Sequence, residues 1–291
     1  MDFLTDPVGW WIEPFVDKAF MQNALWAGLL AVLTTSVVGT WVVLRGMSFL
    51  GDALAHGVLP GIAIAFIIGV DTTMGALVAA LVMVGGVNVI RATSPLPEDT
   101  SIGVLFVGFL ALAVVVMSSN SGSYSGDLNR FLFGSITGVD DRDLIRQAIA
   151  AGISVLGVAL FYRAFLVMTF DETQARIQGL RPRLSHAVLL VLLAISIVSS
   201  FEAVGNLLVF AFLVAPPATA ALLVRRVPVI MVTAVAVGAV SVVVGLLISF
   251  HHESAAGATM ALCAVVAFLA VLCGRAVHTA ISARSVPLAP T

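Results

Sequence analysis

The stretch FMQNALWAGLLAVLTTSVVGTWVVL, residues 20–44, runs 25 positions without a charged side chain. As a helix it is about 37 Å long, enough to cross a hydrocarbon layer about 30 Å thick. Working outward, further apolar runs fall at 72–90, 102–117, 147–168, 187–200, 204–224, 229–250 and 255–277. One more, 47–70, is apolar but carries Asp52 and His56. The pattern predicts an all-α, polytopic transmembrane helical bundle of about eight or nine helices, with 187–200 the shortest.

Composition agrees. The 291 residues are 60% hydrophobic and 10% charged, with a mean hydropathy of +1.11. A water-soluble domain carries roughly a quarter charged residues, so most of this surface has lipid as its solvent. A formal net charge of −2 gives no basic footprint for nucleic acid. Cys263 and Cys273 fit neither a redox pair nor a zinc ribbon and read as packing residues.

The opening segment, residues 1–19, is acidic and lacks the basic start of a cleavable signal, so the first apolar run is expected to stay. Trp10, Trp11 and Phe15 among Asp6, Glu13 and Asp17 suit a helix lying at the membrane interface. The permease domain is expected over 20–280, with a tail from 281 to 291. Arg45, Arg91, the group Arg176, Arg181 and Arg183, the pair Arg225 and Arg226, and Arg275 with Arg284 recur at alternate ends of the runs. The positive-inside rule puts them all in the cytoplasm, with the N-terminus outside. Arg130, Arg142 and Arg146 run against that rule. The apolar run at 131–136 is too short to span and suits an outer interfacial or re-entrant helix, or a packed loop.

Asp52 and His56 are four apart and share one helix face, and a carboxylate and an imidazole so placed can both bind one divalent cation. Ionisable groups at depth usually face a polar pathway. The plainer alternative has Asp52 capping the helix start and His56 hydrogen-bonded within the bundle. Pro60 donates no hydrogen bond to the His56 carbonyl, and Pro216 with Pro217 frees those of Phe212 and Leu213, so all three prolines mark hinge or packing positions. Gly57 and Gly61 form a helix-packing pair. Glu202, Asn206, His251, His252 and Glu253 cluster at outward-facing ends and are candidates for metal entry or a gate, or for solvated loop residues.

The polar stretch FDETQARIQGLRPRLS, residues 170–185, is expected on the cytoplasmic side. Asp171 and Glu172 suit a helix start, Arg176 follows Glu172 at i+4, and Gly179 suits a stop. A short helix there would serve a soluble partner as a docking element; a charged linker is the alternative.

VLRGMSFLGDALAHGVLPGIAIAF (43–66), EDTSIGVLFVGFLAL (98–112), FGSITGV (133–139), FDETQARIQGL (170–180) and AVGNLLVFAFLVAPPATAALL (203–223) resemble, in the same order, blocks of the membrane permeases of bacterial ABC importers for zinc, manganese and iron. The resemblance implies a type II-like, multi-pass permease of the bacterial cytoplasmic membrane that works as a dimer with a second permease copy. It implies cytoplasmic ABC ATPase subunits, an extracellular or periplasmic metal-binding protein, and a transported Mn²⁺ or Zn²⁺ ion rather than a permanently bound cofactor. It places Asp52 and His56 on the family's D-x-x-x-H pair in the metal path. It places Phe170, Asp171, Glu172, Arg176, Gly179 and Leu180 in the ATPase-coupling segment, about 169–185. Glu202 stands where the family varies, and the His251–His252–Glu253 loop is outside its core pattern, so neither carries over.

No GxxxxGK[ST] loop occurs, so energy is expected from another subunit or an ion gradient. Three other readings compete: a permease for chelated metal such as haem or a siderophore, a proton-coupled transporter, and an intramembrane metalloenzyme. The last lacks HExxH and a fuller ligand set.

Overall fold

A computed structural model describes residues 7–95, 97–119 and 138–284. Its helices are α1 (Pro7–Asp17), α2 (Ala19–Leu44), α3 (Ser48–Gly57), α4 (Leu59–Ile68), α5 (Thr72–Thr93), α6 (Glu98–Ser118), α7 (Asp141–Phe170), α8 (Glu172–Ile177), α9 (Pro182–Val204), α10 (Asn206–Leu223), α11 (Val227–His252) and α12 (Ala256–Arg284). No strand occurs among the described residues. Eight segments are long and apolar enough to cross a membrane, with α3 and α4 counted as one, and α10 is a shorter ninth. The run at 131–136 and most of the FGSITGV block lie outside the described residues.

The bundle is built around α2, which packs against α7, α9, α10 and α11. Its middle reads TTSVVGTWV, residues 34–42, and is buried on all sides, which is why its apolar residues show no one-sided pattern. Thr34, Thr35 and Thr40 return their hydroxyls to the carbonyls of Leu30, Ala31 and Ser36, so these polar residues sit inside the bundle satisfied. Helices α6 and α12 lie at the periphery and turn apolar side chains such as Val107, Val114, Leu262 and Val266 outward. Cys273 is exposed on α12 rather than packed, and Cys263 is half-buried.

Two helices differ from the sequence expectation. The run at 187–200 is the core of a full-length helix, α9, whose start is extended by Pro182 in the first turn. The run at 147–168 begins earlier, at Asp141, because Asp141 and Asp143 occupy the positive first turn and the Asp143 carboxylate accepts the Asp140 N–H at 3.3 Å. That extension carries Arg142 and Arg146 on the end of α7 expected to lie outside. Arg146 is neutralised there by Asp71 at 3.1 Å, which accounts for an arginine on the wrong side of the charge rule. Thr73, the backbone N–H groups of Met74 and Thr73, and Arg146 hold the Asp71 carboxyl below the usual carboxylate range, against the opposing effect of burial.

Close helix crossings fall on glycines. A methyl group at Gly61 would overlap the backbone carbonyl of Gly75, and one at Gly75 would overlap that of Gly61, so α4 and α5 meet backbone to backbone. Gly57 faces the Met83 sulfur. The Leu213 carbonyl, left without an intrahelical donor by Pro217, lies against Gly39 of α2, where a side chain would overlap it. Helix α10 is continuous through Pro216 and Pro217, both buried. Gly61→Leu is expected to destabilise the bundle by about 1–3 kcal/mol or more through overpacking, read as a lowered melting temperature in detergent. Leucine at Gly85, which meets open space, should leave it nearly unchanged.

Candidate metal pair and coupling face

Helices α3 and α4 are separated only at Val58, which is itself helical (φ −77°, ψ −20°). The Val58 and Ile62 N–H groups keep their bonds to the Leu54 and Val58 carbonyls at 3.2 and 3.1 Å, whereas the His56 carbonyl loses its i+4 donor to Pro60, the second residue of α4. Helix α3 buries Leu50, Ala53, Leu54 and Ala55 and presents Phe49, Asp52 and His56 on its opposite face.

Asp52 and His56 stand together on that face, with His56 Nε2 3.6 Å from Asp52 Oδ1. This exceeds the 2.7–3.2 Å range of a good hydrogen bond. It is close to the separation of about 3.4 Å expected for two donors each about 2.1 Å from one tetrahedral ion. The side chains are 29% and 34% exposed, so the pair is open rather than enclosed. Phe106 of α6 packs edge-on against both His56 and Phe49 and orients the imidazole. No group of three or more His, Cys, Asp or Glu able to hold a metal occurs among the described residues. One chain therefore offers two donors, a set suited to brief ligation and not to a closed structural site.

Among the outer candidates whose side chains are described, His251, His252 and Glu253, no metal-holding group forms. Glu202 falls in the last turn of α9 and Asn206 opens α10; their side chains lie outside the described residues. Between them Gly205 adopts φ +78°, the left-handed region that lets the chain reverse. His251 is engaged elsewhere: its ring stacks on Trp10 at 4.3 Å, and its Nε2 is 3.2 Å from the Trp10 carbonyl oxygen. It ties α1 to the end of α11, a contact that no local spacing announces. His252 ends α11, and Glu253 caps it at φ +50°.

At the end of the bundle expected to be cytoplasmic, α8 forms as its sequence predicts. The Asp171 carboxylate accepts the Gln174 N–H at 2.9 Å, Arg176 pairs with Glu172 at 2.9 Å, and Gly179 ends the helix at φ +72°. Ala175 is fully buried beneath it, whereas Phe170 and Ile177 are 70% and 75% exposed. The result is a short, anchored helix flanked by apolar residues free for a partner. Sequence reasoning missed its link to the transmembrane body: Arg91, at the end of α5, reaches Glu172 at 3.3 Å. Arg176, Arg91 and Arg45 hold the Glu172 carboxyl below its ordinary range, against burial.

A depressed folded value means that this link contributes above the ordinary carboxylate range and is lost only as pH falls through the lowered value. Hydrogen-exchange protection of residues 172–178 is therefore expected to be unchanged between about pH 8 and 5, and to fall in acid below about pH 4.3. Loss near neutral pH would contradict the assignment.

The ABC 3 transport family matches residues 17–275. The "Manganese transport system membrane protein MntC" of Listeria monocytogenes is 37% identical over 257 residues, covering 88% of this chain and 91% of that one. A "Probable iron transport system membrane protein" of Haemophilus influenzae is 34% identical over 263 residues, 90% of this chain and 96% of that one. Among solved structures, "PsaBC from Streptococcus pneumoniae in complex with Fab" is similar with a TM-score of 0.80 at 33% identity, covering 90% of this chain and 94% of that chain.

Proposed function

The chain belongs to the ABC 3 transport family, and from that premise we propose that it forms the membrane path of an ATP-driven importer for a divalent transition metal ion, Mn²⁺ or Zn²⁺, with iron the third candidate. It is a multi-pass permease of the bacterial cell membrane. ATP is hydrolysed by separate cytoplasmic subunits that dock on α8, a binding protein delivers the ion outside, and the path alternates between the two faces.

The observation that carries this reading is the Asp52 and His56 pair: a carboxylate and an imidazole 3.6 Å apart on an interrupted transmembrane helix. Oxygen and nitrogen donors without thiolate suit Mn²⁺, Zn²⁺ or Fe²⁺ better than Cu⁺. Two donors that are each about a third exposed bind loosely enough to release the ion, which transport requires. A second copy of the chain with its own pair facing the first would complete a four-donor passage, and this favours a homodimer. The relatives named for manganese and iron transport support the cargo class.

The test is ATP-dependent uptake of radiolabelled Mn²⁺, Zn²⁺ and Fe²⁺ into vesicles holding this chain with its ATPase and binding protein. Uptake of a bare ion is expected, and the ratio among the three gives the preference. An intact complex that takes up none of them but accepts a metal chelate would overturn the bare-ion reading. Uptake driven by a proton gradient without ATP would overturn the importer class.

A further inference from the structure

At the cytoplasmic end, α5, α8 and α9 enclose a cavity of about 650 Å³ lined by Asn88, Arg91, Glu172, Arg176, Arg183 and Leu184, among others. Three guanidinium groups face one carboxylate there, a surplus of two positive charges. Glu172 is engaged by both Arg91 and Arg176. Arg183 makes no ion pair among the described residues and is exposed to the cavity. The first turn of α9 adds to the field: Arg181 at its N-cap supplies no side-chain hydrogen bond, so the positive end of a 23-residue helix is uncapped beside Arg183 and Leu184. The cavity is built for an anion.

We propose that this cavity holds the phosphate of an anionic phospholipid from the inner leaflet. The shared chemistry is a phosphate, and the surroundings favour a lipid as its source. The arginines mark this end of the bundle as cytoplasmic, where anionic lipids concentrate. An exposed stripe on α5, Leu81, Gly85 and Ala92, leads from mid-membrane to the cavity on the same helix face as Asn88. Gly85 meets nothing within 4 Å, so an acyl chain has an open track beside it. The headgroup would then sit against Arg183 and Arg176, the latter on α8 itself. Lipid charge thereby reaches the element on which an ATPase would dock, whichever metal is carried.

The test is native mass spectrometry of the full chain in detergent, titrated with phosphatidylglycerol or phosphatidylcholine of the same acyl chains. The wild type should hold phosphatidylglycerol more tightly, and Arg183→Gln should weaken that binding about tenfold, the loss of one charge-assisted contact. Arg275→Gln removes an exposed arginine from α12 and should leave the preference intact. Equal binding of the two lipids by the wild type, or equal losses in the two variants, would overturn the site. Displacement of phosphatidylglycerol by excess inorganic phosphate, with the same dependence on Arg183, would overturn the lipid as its source. Matching melting temperatures for both variants exclude misfolding as the cause.

Discussion

Uptake of metal by the assembled transporter is expected to fall at least about 100-fold in His56→Ala, and similarly in Asp52→Ala, with the permease still bound to its ATPase. The size follows from the ligand count. Even partners that only orient a ligand cost about 10- to 100-fold when removed, and here each substitution removes one of two donors on the chain. Assembly should survive, because α8 is held by α7, α9 and Arg91 and not by the face of α3 that carries the pair. Folding should survive as well: both side chains are partly exposed, and the apolar side of α3 remains. Asp52→Asn sharpens the test, since it keeps the shape and one oxygen donor while removing the charge that attracts a cation. Normal uptake in both alanine variants would sink the site; loss of uptake together with loss of the ATPase from the complex would mean that the pair is structural.

What the chain declares in its sequence is what repeats at short range. The crossings are legible because lipid demands long uncharged runs, and α8 because its cap, its i+4 ion pair and its stop lie within nine positions, from Asp171 to Gly179. The shared face of Asp52 and His56 follows from helical spacing alone and is present at 3.6 Å; their role in a metal path is what the resemblance to metal permeases implies. The interruption between α3 and α4 is legible as Pro60, which lacks the N–H that the His56 carbonyl would otherwise accept.

The rest is tertiary. Arg146 with Asp71 is 75 residues apart, Arg91 with Glu172 81, and His251 with Trp10 241. Nothing local distinguishes those partners from any other charged or aromatic residue near a helix end. The arginine that broke the charge rule was the one available signal: a misplaced cation should prompt a search for the acid that neutralises it. Likewise His251, chosen for its ligand chemistry, turns out to spend its ring on a tryptophan. An imidazole is also a flat aromatic surface, and composition does not say which use prevails.

The second large effect concerns Arg91. Arg91→Ala is expected to lower ATP-driven uptake about tenfold while changing stability by no more than about 1 kcal/mol, because partly exposed ion pairs contribute little to folding. The pair instead sets position. Arg91 ends α5, α5 meets α4 at the Gly61 and Gly75 crossing, and α4 follows directly from the helix that bears Asp52 and His56. A displacement of α8 by a docked ATPase thus has a stiff route to the metal pair through a single salt bridge and one backbone contact. Coupling along such a route is expressed in measurable energies. A double-mutant cycle on uptake with Arg91→Ala and Glu172→Ala supplies them: if the two act through each other, the double variant should be little worse than either single one. The ATPase rate should persist in all three, since α8 and its exposed Phe170 and Ile177 remain to bind the partner. Additive losses would place Arg91 outside the route, and a melting temperature that falls in proportion to uptake would reduce the pair to a structural tie.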